Sequence, residues 1–409
     1  MNILFSFFVL LSFLFSSQFA FGALPHAYVT DEKGDTLAVI DVSNDTVQKI
    51  YGITGCRVVK VSPDGTQAYV GCDNNTLRVI DTLNNLVLPI EINVVKPVAL
   101  AVSPDSEFVY VASTDDTVSV IRTGTYETEA VISGFDFVQD IKIHPDGSKA
   151  YVTNKNGGCV SVIDTQTRAI VQTITGFQSP IGLALNIDGT KGYVTDTSHH
   201  ALYVFDTTTN SVTDVVLGFN DPAYIAVTPD KNRAYISNKG NDTVTILRLS
   251  DNFIIRTFPL PGPQSIAISK DGLYLYIGSS AGLVFKVYTL DNSIQYAFKG
   301  FSNPSNIALT VNNTPTSTVN ACQSGEGTGI LNTLTWTASP GFPHSYRVYR
   351  DNLVNGLLGS VPGTTQEFFD TNLVPGQTYQ YYVIADYDNG YSSTVGDVLI
   401  APERTCIAP

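Results

Sequence analysis

Short stretches of alternating apolar and polar residues repeat along most of the chain. A Tyr followed by Val or Ile recurs every 41 or 42 residues, at Tyr28, Tyr69, Tyr110, Tyr151, Tyr193, Tyr235 and Tyr276. After each pair come a polar turn, a second apolar stretch such as VSVIDT, a weaker third stretch, and a fourth that ends in a turn such as Pro-Asp-Gly. Period-two alternation rich in Val, Ile, Thr and Tyr predicts β-strands. Each unit therefore predicts four short strands.

A four-stranded sheet with two apolar faces cannot bury both by itself. Seven such sheets packed radially cover each other's faces and leave only short edges, so the repeat predicts an all-β fold, a seven-bladed β-propeller. The chain enters the repeat at a second strand, and Pro304–Leu309 repeats the innermost-strand pattern with no further strand in register. We expect this segment to complete the first blade and close the ring.

The repeat motifs resemble a known family. The tetrads YVTN at 151–154 and YVTD at 193–196, with VSVIDT and VSPDG, are similar to those of the YVTN-repeat β-propeller family. The resemblance covers about residues 24–312 and places the propeller domain at 23–312. It implies the fold rather than one activity, since relatives include surface-layer and secreted binding proteins, and some similar propellers are lactonases or redox enzymes.

A second domain follows the repeats. Residues 312–333 are rich in Asn, Thr, Ser and Gly, as expected of a linker and domain start. The stretches LTWTAS, YRVYRD and FDTNLVPGQTYQYYVIADYDNGYSS then resemble a fibronectin type III-like β-sandwich at 316–409. The features carried over from that family are a core Trp336, the alternation of Tyr346 and Val348, the turn at 373–376, and Tyr379 as the tyrosine corner.

The N-terminus has the pattern of a secretory signal peptide at 1–22. Residues 3–15 are apolar apart from two serines, and Ala20 and Gly22 provide small residues before a cleavage site. A membrane anchor is the alternative, although the apolar run is short for a bilayer span. The signal predicts a secreted, periplasmic or cell-surface protein that does not insert into the membrane after cleavage.

Net charge narrows the choice of partners. The chain has 37 Asp and Glu against 23 Lys and Arg, a formal net charge of −14. Binding to nucleic acid or to anionic lipid requires a basic face, and the excess of acidic over basic residues argues against one. We expect a monomer whose partner is a protein or carbohydrate ligand at the propeller face.

Two disulfides are predicted from the five cysteines. Cys56 and Cys72 lie eight residues on either side of Asp64, the centre of a predicted hairpin turn, so they face each other across an antiparallel pair. Cys322 and Cys406 lie near the two ends of the second domain, where a bridge would close a long loop. Cys159 remains, either as an inert thiol or as a nucleophile, which would need a His partner that is not near it in sequence.

Motifs for catalysis or metal binding are weak, and we predict neither a metal nor a cofactor. The G-x-S-x-G match at 278–282 falls in a turn between two strands rather than on a strand-to-helix elbow. His199 and His200 are neighbours on extended chain and point to opposite sides. The Asp- and Asn-rich turns after the Tyr strands fit Asx turns or Ca²⁺ ligands, although no single turn supplies a full ligand set.

A Gly-Phe pair precedes four of the innermost strands. The same phase in the repeat places these residues at one height in the ring, on one face of the propeller. They form an apolar rim for a ligand or they fill the gaps between neighbouring blades. The four aromatic residues are Phe135, Phe177, Phe219 and Phe301.

The innermost strands vary around a constant apolar position. The residue before it is Val, Ala, Asp, Gly, Tyr, Ser or Asn, and the residue after it is Ala except for two lysines. Departures from a repeat near a central channel are where a site would be built. The alternative is a solvated channel with ordinary paired charges. The candidate ligand-binding residues at the channel mouth are Arg57, Lys60, Gln139, Asp140, Lys142, Tyr224, Gln264 and Asn306.

These observations favour a secreted or surface-exposed, non-catalytic binding or scaffold protein that uses the propeller face for recognition. The alternative is a lactonase-like hydrolase at the channel mouth, for which Asp140 is the one acid among the candidates. A third interpretation is a structural envelope protein that self-associates through weak contacts.

Overall fold

The computed structural model describes residues 26–310 and seven further strands at 320–324, 331–335, 345–350, 357–362, 367–370, 379–386 and 392–400. The predicted signal peptide, Trp336, the turn at 373–376 and Cys406 lie outside the described residues. The Cys322–Cys406 bridge therefore stays a prediction.

Residues 26–310 form 28 strands arranged in blades of four. The first blade contains β1 (His26–Asp31), β2 (Thr36–Asp41) and β3 (Thr46–Ile50). The second to fourth blades comprise β4 (Cys56–Val61), β5 (Gln67–Cys72), β6 (Thr76–Asp81), β7 (Leu86–Asn93); β8 (Pro97–Val102), β9 (Phe108–Ser113), β10 (Thr117–Arg122), β11 (Thr128–Ser133); β12 (Val138–Ile143), β13 (Lys149–Asn154), β14 (Cys159–Asp164), β15 (Ala169–Thr175). The remaining strands are β16 (Pro180–Leu185), β17 (Lys191–Asp196), β18 (Ala201–Asp206), β19 (Ser211–Leu217); β20 (Pro222–Val227), β21 (Arg233–Asn238), β22 (Thr243–Arg248), β23 (Phe253–Pro259); β24 (Pro263–Ile268), β25 (Tyr274–Ser279), β26 (Leu283–Tyr288), β27 (Ser293–Phe298); and β28 (Pro304–Leu309).

The ring closes in the first blade, as the sequence predicts. Its strand order is β28-β1-β2-β3, so the last propeller strand pairs antiparallel with the first and occupies the inner position. Blades two to seven each run outwards from the inner strand in chain order. The seven-bladed propeller with four-stranded blades is confirmed.

Antiparallel strand order gives the ring two distinct faces. The upper face carries the connections between blades and the turns between second and third strands. The lower face carries the Pro-Asp-Gly-type turns between inner and second strands. In those turns Gly65, Gly147, Gly189 and Gly272 have positive φ, the conformation for which glycine is favoured. Each inner strand runs from the upper face to the lower face.

The hydrophobic core is divided among the junctions between blades. Within residues 26–310, seven apolar clusters occupy the seven junctions. One such cluster joins Tyr28 and Leu37 of the first blade to Val59 and Val70 of the second. Each sheet thus buries both faces against its neighbours, which is the condition that the sequence pattern imposes.

In three blades the Tyr of the repeat, at Tyr28, Tyr151 and Tyr235, is hydrogen-bonded to the following blade. Tyr151 is fully buried, and its hydroxyl donates to the Thr207 carbonyl at 3.3 Å and to Asn210 Oδ1 at 3.1 Å in the following blade. Tyr235 makes the same two bonds, to Thr289 and Asn292. Both Asn residues have positive φ, which Asn tolerates better than most residues, so each stabilises its own turn and accepts the Tyr bond.

At the closing junction a lysine replaces this contact. Lys286 in β26 is buried, and its ammonium donates to Asp45 at 2.6 Å and to the Val42 carbonyl at 3.3 Å. Asp45 and Val42 hold the turn positions that Asn210 and Thr207 hold at the Tyr151 junction. Tyr276, the repeat Tyr of the seventh blade, has a buried hydroxyl with no hydrogen-bond partner among the described residues.

The predicted Cys56–Cys72 disulfide is present, and the two residues are register partners in β4 and β5. Cys72 holds the last position of the tetrad. In other blades this residue binds the chain just before the inner strand through hydrogen bonds: Asp31 accepts the Asn303 N–H at 2.6 Å, and Asp196 accepts the Ser179 N–H at 3.1 Å. The disulfide takes the place of these hydrogen bonds in the second blade.

The described strands after residue 319 form two sheets. They are β29 (Asn320–Ser324), β30 (Leu331–Thr335), β31 (Ser345–Arg350), β32 (Leu357–Pro362), β33 (Glu367–Asp370), β34 (Tyr379–Asp386) and β35 (Ser392–Ile400). A three-stranded sheet has the order β29-β30-β33, and a four-stranded sheet has the order β32-β31-β34-β35. Arg350 in β31 donates to Asp370 in β33 at 2.8 Å, so the two sheets are in contact. Tyr379 opens β34.

The Tyr contacts generate a matched pair of predictions. Tyr151→Phe leaves the buried Asn210 Oδ1 without its donor, whereas the Thr207 carbonyl keeps a bond from the ammonium of Lys149 at 3.0 Å. We therefore expect the free energy of unfolding to fall by about 1–2 kcal/mol. Tyr276→Phe removes a buried hydroxyl that has no partner, so we expect a change between zero and a small stabilisation. Chemical denaturation of both variants measures the difference. Equal losses in the two variants would contradict the assigned role of the Tyr151 bonds.

Candidate ligand site at the propeller hub

The candidate residues lie on the inner strands around the central channel. The third and fifth residues of each inner strand face the following blade, and the fourth faces the preceding one, as shown by Asp140 reaching Leu183 and by Val59 packing against Tyr28. Equivalent positions in the repeat therefore share a tier. The third tier contains Asp140, Tyr224 and Asn306, and the fifth contains Lys60 and Lys142.

Two departures from the repeat stabilise the ring. Asp140 Oδ2 accepts the Leu183 N–H of the next blade at 3.0 Å, and Asn306 Oδ1 accepts the Val59 N–H in the same way at 3.2 Å. The remaining Asp140 oxygen accepts the Ile141 N–H at 2.8 Å and the ammonium of Lys142 at 2.5 Å. The carboxylate of Asp140 is thus fully engaged by the protein.

A third departure from the repeat, at Gly182, reflects the close approach of the next blade's backbone. Gly182 stands where other blades carry a side chain, and an added Cβ would collide with the Ala223 carbonyl oxygen of the next blade. Of the other third-tier residues, Val58, Ala99 and Ser265 are buried. Tyr224 is therefore the one third-tier side chain that is neither buried nor bonded to the next inner strand.

Lys60 lies on the fifth tier at the channel, and its side chain is exposed. Loss of hydration among the surrounding protein groups, together with the positive charge of Lys142, lowers its pKa from 10.5 to about 8, although the carboxylate of Asp140 acts in the opposite direction. Lys142 forms an ion pair with Asp140. Within the described part of the chain, Lys60 forms no ion pair.

Tyr224 projects into the channel two residues above the lysine tier. Burial raises its pKa to about 12, with smaller effects from the charges of Asp140 and Glu32, so the hydroxyl stays protonated at neutral pH. The ammonium of Lys239 lies 4.9 Å from the centre of its ring, a cation–π contact. Burial and the charge of Lys155 lower the pKa of Lys239.

The other polar candidates contribute less. Arg57 lies at the upper mouth and pairs with Glu32 at 3.0 Å and with Asp73 at 2.9 Å. Gln139 Nε2 donates to the carbonyl of the preceding residue, Val138, at 2.9 Å, and Gln264 is half-exposed.

A second ring of variable residues, which was not predicted from the sequence, lies at the upper mouth. Each follows the tetrad directly and donates its backbone N–H to the connection before its own inner strand, at 2.8 to 3.2 Å, which places all seven at one height. Their variation within an otherwise regular repeat is the same signal that identified the inner tiers. The seven residues are Glu32, Asp73, Thr114, Lys155, Thr197, Lys239 and Ser280.

The four Phe residues fill the gaps between blades. Each is only 7–9% exposed and belongs to a cluster shared by two neighbouring blades. Phe177, for example, packs edge-on against Tyr203 with ring centres 4.9 Å apart. The structure therefore places Phe135, Phe177, Phe219 and Phe301 in the core instead of on an open apolar rim, and we leave them out of the candidate site.

The turn residues that could have bound Ca²⁺ are used by the chain. Asp35, Asn75, Asp116 and Asp242 each accept a backbone N–H from the connection to the next blade, at 2.7 to 3.1 Å. All four have positive φ. Their oxygens satisfy backbone donors of the upper face, as in Asx-type turns.

The remaining reactive side chains are also bound locally. Burial raises the pKa of the Cys159 thiol, which disfavours the nucleophilic thiolate. His199 contacts Asp196 and Tyr203, whereas His200 contacts Asp221. His144 differs from the usual exposed turn residue: its side chain is 16% exposed and its Nε2 lies 2.9 Å from the Gly189 carbonyl oxygen of the next blade.

Comparison with known proteins supports the fold alone. No family model and no curated protein matches the chain. Among solved structures, a hydrazine synthase from Kuenenia stuttgartiensis has a TM-score of 0.57 and 21% identity, over 62% of this chain and 89% of that one. A functionally unknown protein from Desulfotomaculum acetoxidans has a TM-score of 0.60 and 14% identity, over 69% and 98%. A search of the described segments for helices that could cross a membrane finds none.

The environment of Lys60 predicts a pH-dependent stability difference. Its folded pKa of about 8 lies below its unfolded value of 10.5, so between these values the unfolded chain holds a proton that the folded chain lacks. The contribution of Lys60 to the free energy of unfolding therefore rises with pH across this window. We expect Lys60→Met to melt at a higher temperature than the parent at pH 7, with the difference shrinking by pH 9.5.

The control for this prediction is Lys270→Met, which removes the same charge from an exposed turn of the lower face. We expect it to follow the parent at every pH. A Lys60→Met variant that tracks the parent across pH 7–9.5 would show that the channel does not disfavour the charged lysine.

Proposed function

We propose that this protein is a secreted or surface-exposed, non-catalytic binding or scaffold protein whose ligand site is the upper channel mouth of the propeller. The fold supports such a role because a rigid ring presents its loops and hub residues in fixed positions. Membership of the YVTN-repeat family is part of the proposal, supported by the tetrads, their 41- or 42-residue spacing and the seven blades.

One observation carries the proposal. Tyr224 and Lys60 break the repeat, retain accessible surface in the channel, and form no side-chain hydrogen bond within the described residues. The neighbouring departures, Asp140, Asn306 and Gly182, are explained by contacts between blades. Tyr224 and Lys60 have no such use in the fold, and polar side chains left over at a concave hub are suited to recognition.

The hydrolase alternative depends on Asp140 as a general base. A general base needs a lone pair directed at the proton that it removes. Both Asp140 oxygens instead accept backbone N–H groups or the Lys142 ammonium. This arrangement favours binding over catalysis at the hub.

We further propose that the C-terminal region is a fibronectin type III-like domain that acts as a spacer or second binding module. Sheets of three and four strands, with the orders β29-β30-β33 and β32-β31-β34-β35, support this assignment, as does the Arg350–Asp370 contact between them. The disulfide between Cys56 and Cys72 supports the proposed secretion, because such bonds persist in oxidising compartments.

A thermal-shift screen of the mature chain against sugars, lactones and divalent ions tests the binding role. A ligand at a hundredfold excess over its Kd stabilises the folded state by about 2.7 kcal/mol, so we expect at least one compound to raise the melting temperature. We expect Tyr224→Ala to abolish this shift. Tyr51→Ala, which removes an exposed Tyr from a connection between blades on the upper face, should retain it.

A shift that survives Tyr224→Ala would place the ligand elsewhere on the molecule. Consumption of a lactone by the mature chain, abolished in Asp140→Asn, would support the hydrolase in place of the binding protein.

A further inference from the structure

The hub has an excess of positive charge in an acidic protein. The inner-strand tiers and the ring after the tetrads contain five cations, Arg57, Lys60, Lys142, Lys155 and Lys239, and three carboxylates, Glu32, Asp73 and Asp140. The difference over these two sets of positions is +2, while the whole chain has a formal net charge of −14. A local charge opposite in sign to that of the whole molecule identifies a region that attracts an anion.

All three carboxylates are already bound. Glu32 and Asp73 both pair with Arg57, and Asp140 pairs with Lys142. Three ammonium groups, those of Lys60, Lys155 and Lys239, have no carboxylate within 4.0 Å in the described part of the chain. Lys155 and Lys239 instead lie over aromatic rings, those of Phe137 and Tyr224.

These three groups lie at two heights of the propeller hub. Lys155 and Lys239 lie on the ring at the upper mouth and are close enough for the charge of Lys155 to act on Lys239. Tyr224 lies on the third tier and Lys60 on the fifth. Two residues of a strand span about 7 Å, so a ligand of a few non-hydrogen atoms could contact Tyr224 and Lys60 together.

On the fifth tier the two lysines are the only long side chains, because the other residues are small. Where the second and fourth blades have Lys60 and Lys142, the other five have alanine, among them Ala184, Ala226 and Ala308. The charge of Lys142 acts on Lys60 although a blade separates their strands, so the two ammonium groups lie near each other. An anion between them would supply the partner that Lys60 lacks.

We propose that the hub binds a small ligand bearing a carboxylate or phosphate group, which Lys60 and Lys142 contact in the channel and Lys239 attracts at the upper mouth. This inference rests on the proposed binding function and specifies the chemical class of the ligand. The protonated hydroxyl of Tyr224 adds one hydrogen-bond donor above the lysines. Oxyanions are the natural partners of such donors, since bonds between ions are stronger than neutral ones.

Isothermal titration of the mature chain with inorganic phosphate and, separately, with acetate at pH 7 and low ionic strength tests the site. We expect saturable binding of at least one anion with one site per chain. Lys60→Met should weaken this binding roughly tenfold or more, since the loss of a charge-assisted hydrogen bond costs about 1.5–3 kcal/mol and about 1.4 kcal/mol corresponds to tenfold. Lys239→Met should weaken it less, and Lys270→Met should leave it unchanged.

Proton uptake gives a second readout that does not depend on the variants. At pH 8.5 Lys60 is partly deprotonated in the free protein, and a bound anion raises its pKa. Binding should therefore take up protons, measured from the dependence of the binding heat on the ionisation enthalpy of the buffer. The affinity should fall as the pH rises above 8. Of the groups facing Lys60, Lys142 favours the anion and Asp140 opposes it.

The outcomes separate this inference from the proposed function. Phosphate and acetate both failing to bind, or binding equally well to Lys60→Met, would overturn the anion site. A neutral ligand found in the thermal-shift screen that depends on Tyr224 but is indifferent to Lys60→Met would overturn it too while preserving the binding role. Anion binding that depends on Lys60 and on pH as described would support both.

Discussion

The need of each four-stranded sheet to cover two apolar faces governs the whole propeller. No blade can satisfy it alone, and seven blades satisfy it only as a closed ring in which the last strand, β28, pairs with the first, β1. The core is therefore seven separate interfaces of similar composition. Every blade depends on two neighbours, which explains why polar contacts between blades recur at fixed positions of the repeat.

Those polar contacts show how the repeat uses special backbone conformations. Asn210 and Asn292 adopt positive φ in their turns and at the same time accept a hydrogen bond from the buried Tyr of the preceding blade. At the closing junction the acceptor at this turn position is Asp45, and the donor is the ammonium of Lys286. Lys286 is buried, so removing Asp45 would leave a buried ammonium without its carboxylate, which is destabilising.

The hub is where the repeat stops being regular, and the contacts between blades separate two kinds of irregularity. Asp140, Asn306 and Gly182 differ from the repeat because the next blade requires it, through a backbone N–H or a close carbonyl. Lys60, Tyr224 and Lys239 differ without such a requirement. Charge that the fold does not neutralise at a concave centre is the physical basis for proposing a ligand site there.

The sequence alone determined the strands, the number of blades, the closing segment and the Cys56–Cys72 bridge, because period-two patterning, repeat spacing and turn geometry are properties of short stretches of chain. It also identified the variable inner tiers. It could not decide whether Phe177 lines a rim or fills a junction, which variable residues are satisfied by the next blade, or that Lys239 stacks on Tyr224. These outcomes depend on backbone and rings supplied by neighbouring blades, and only the closed ring brings those groups within contact distance.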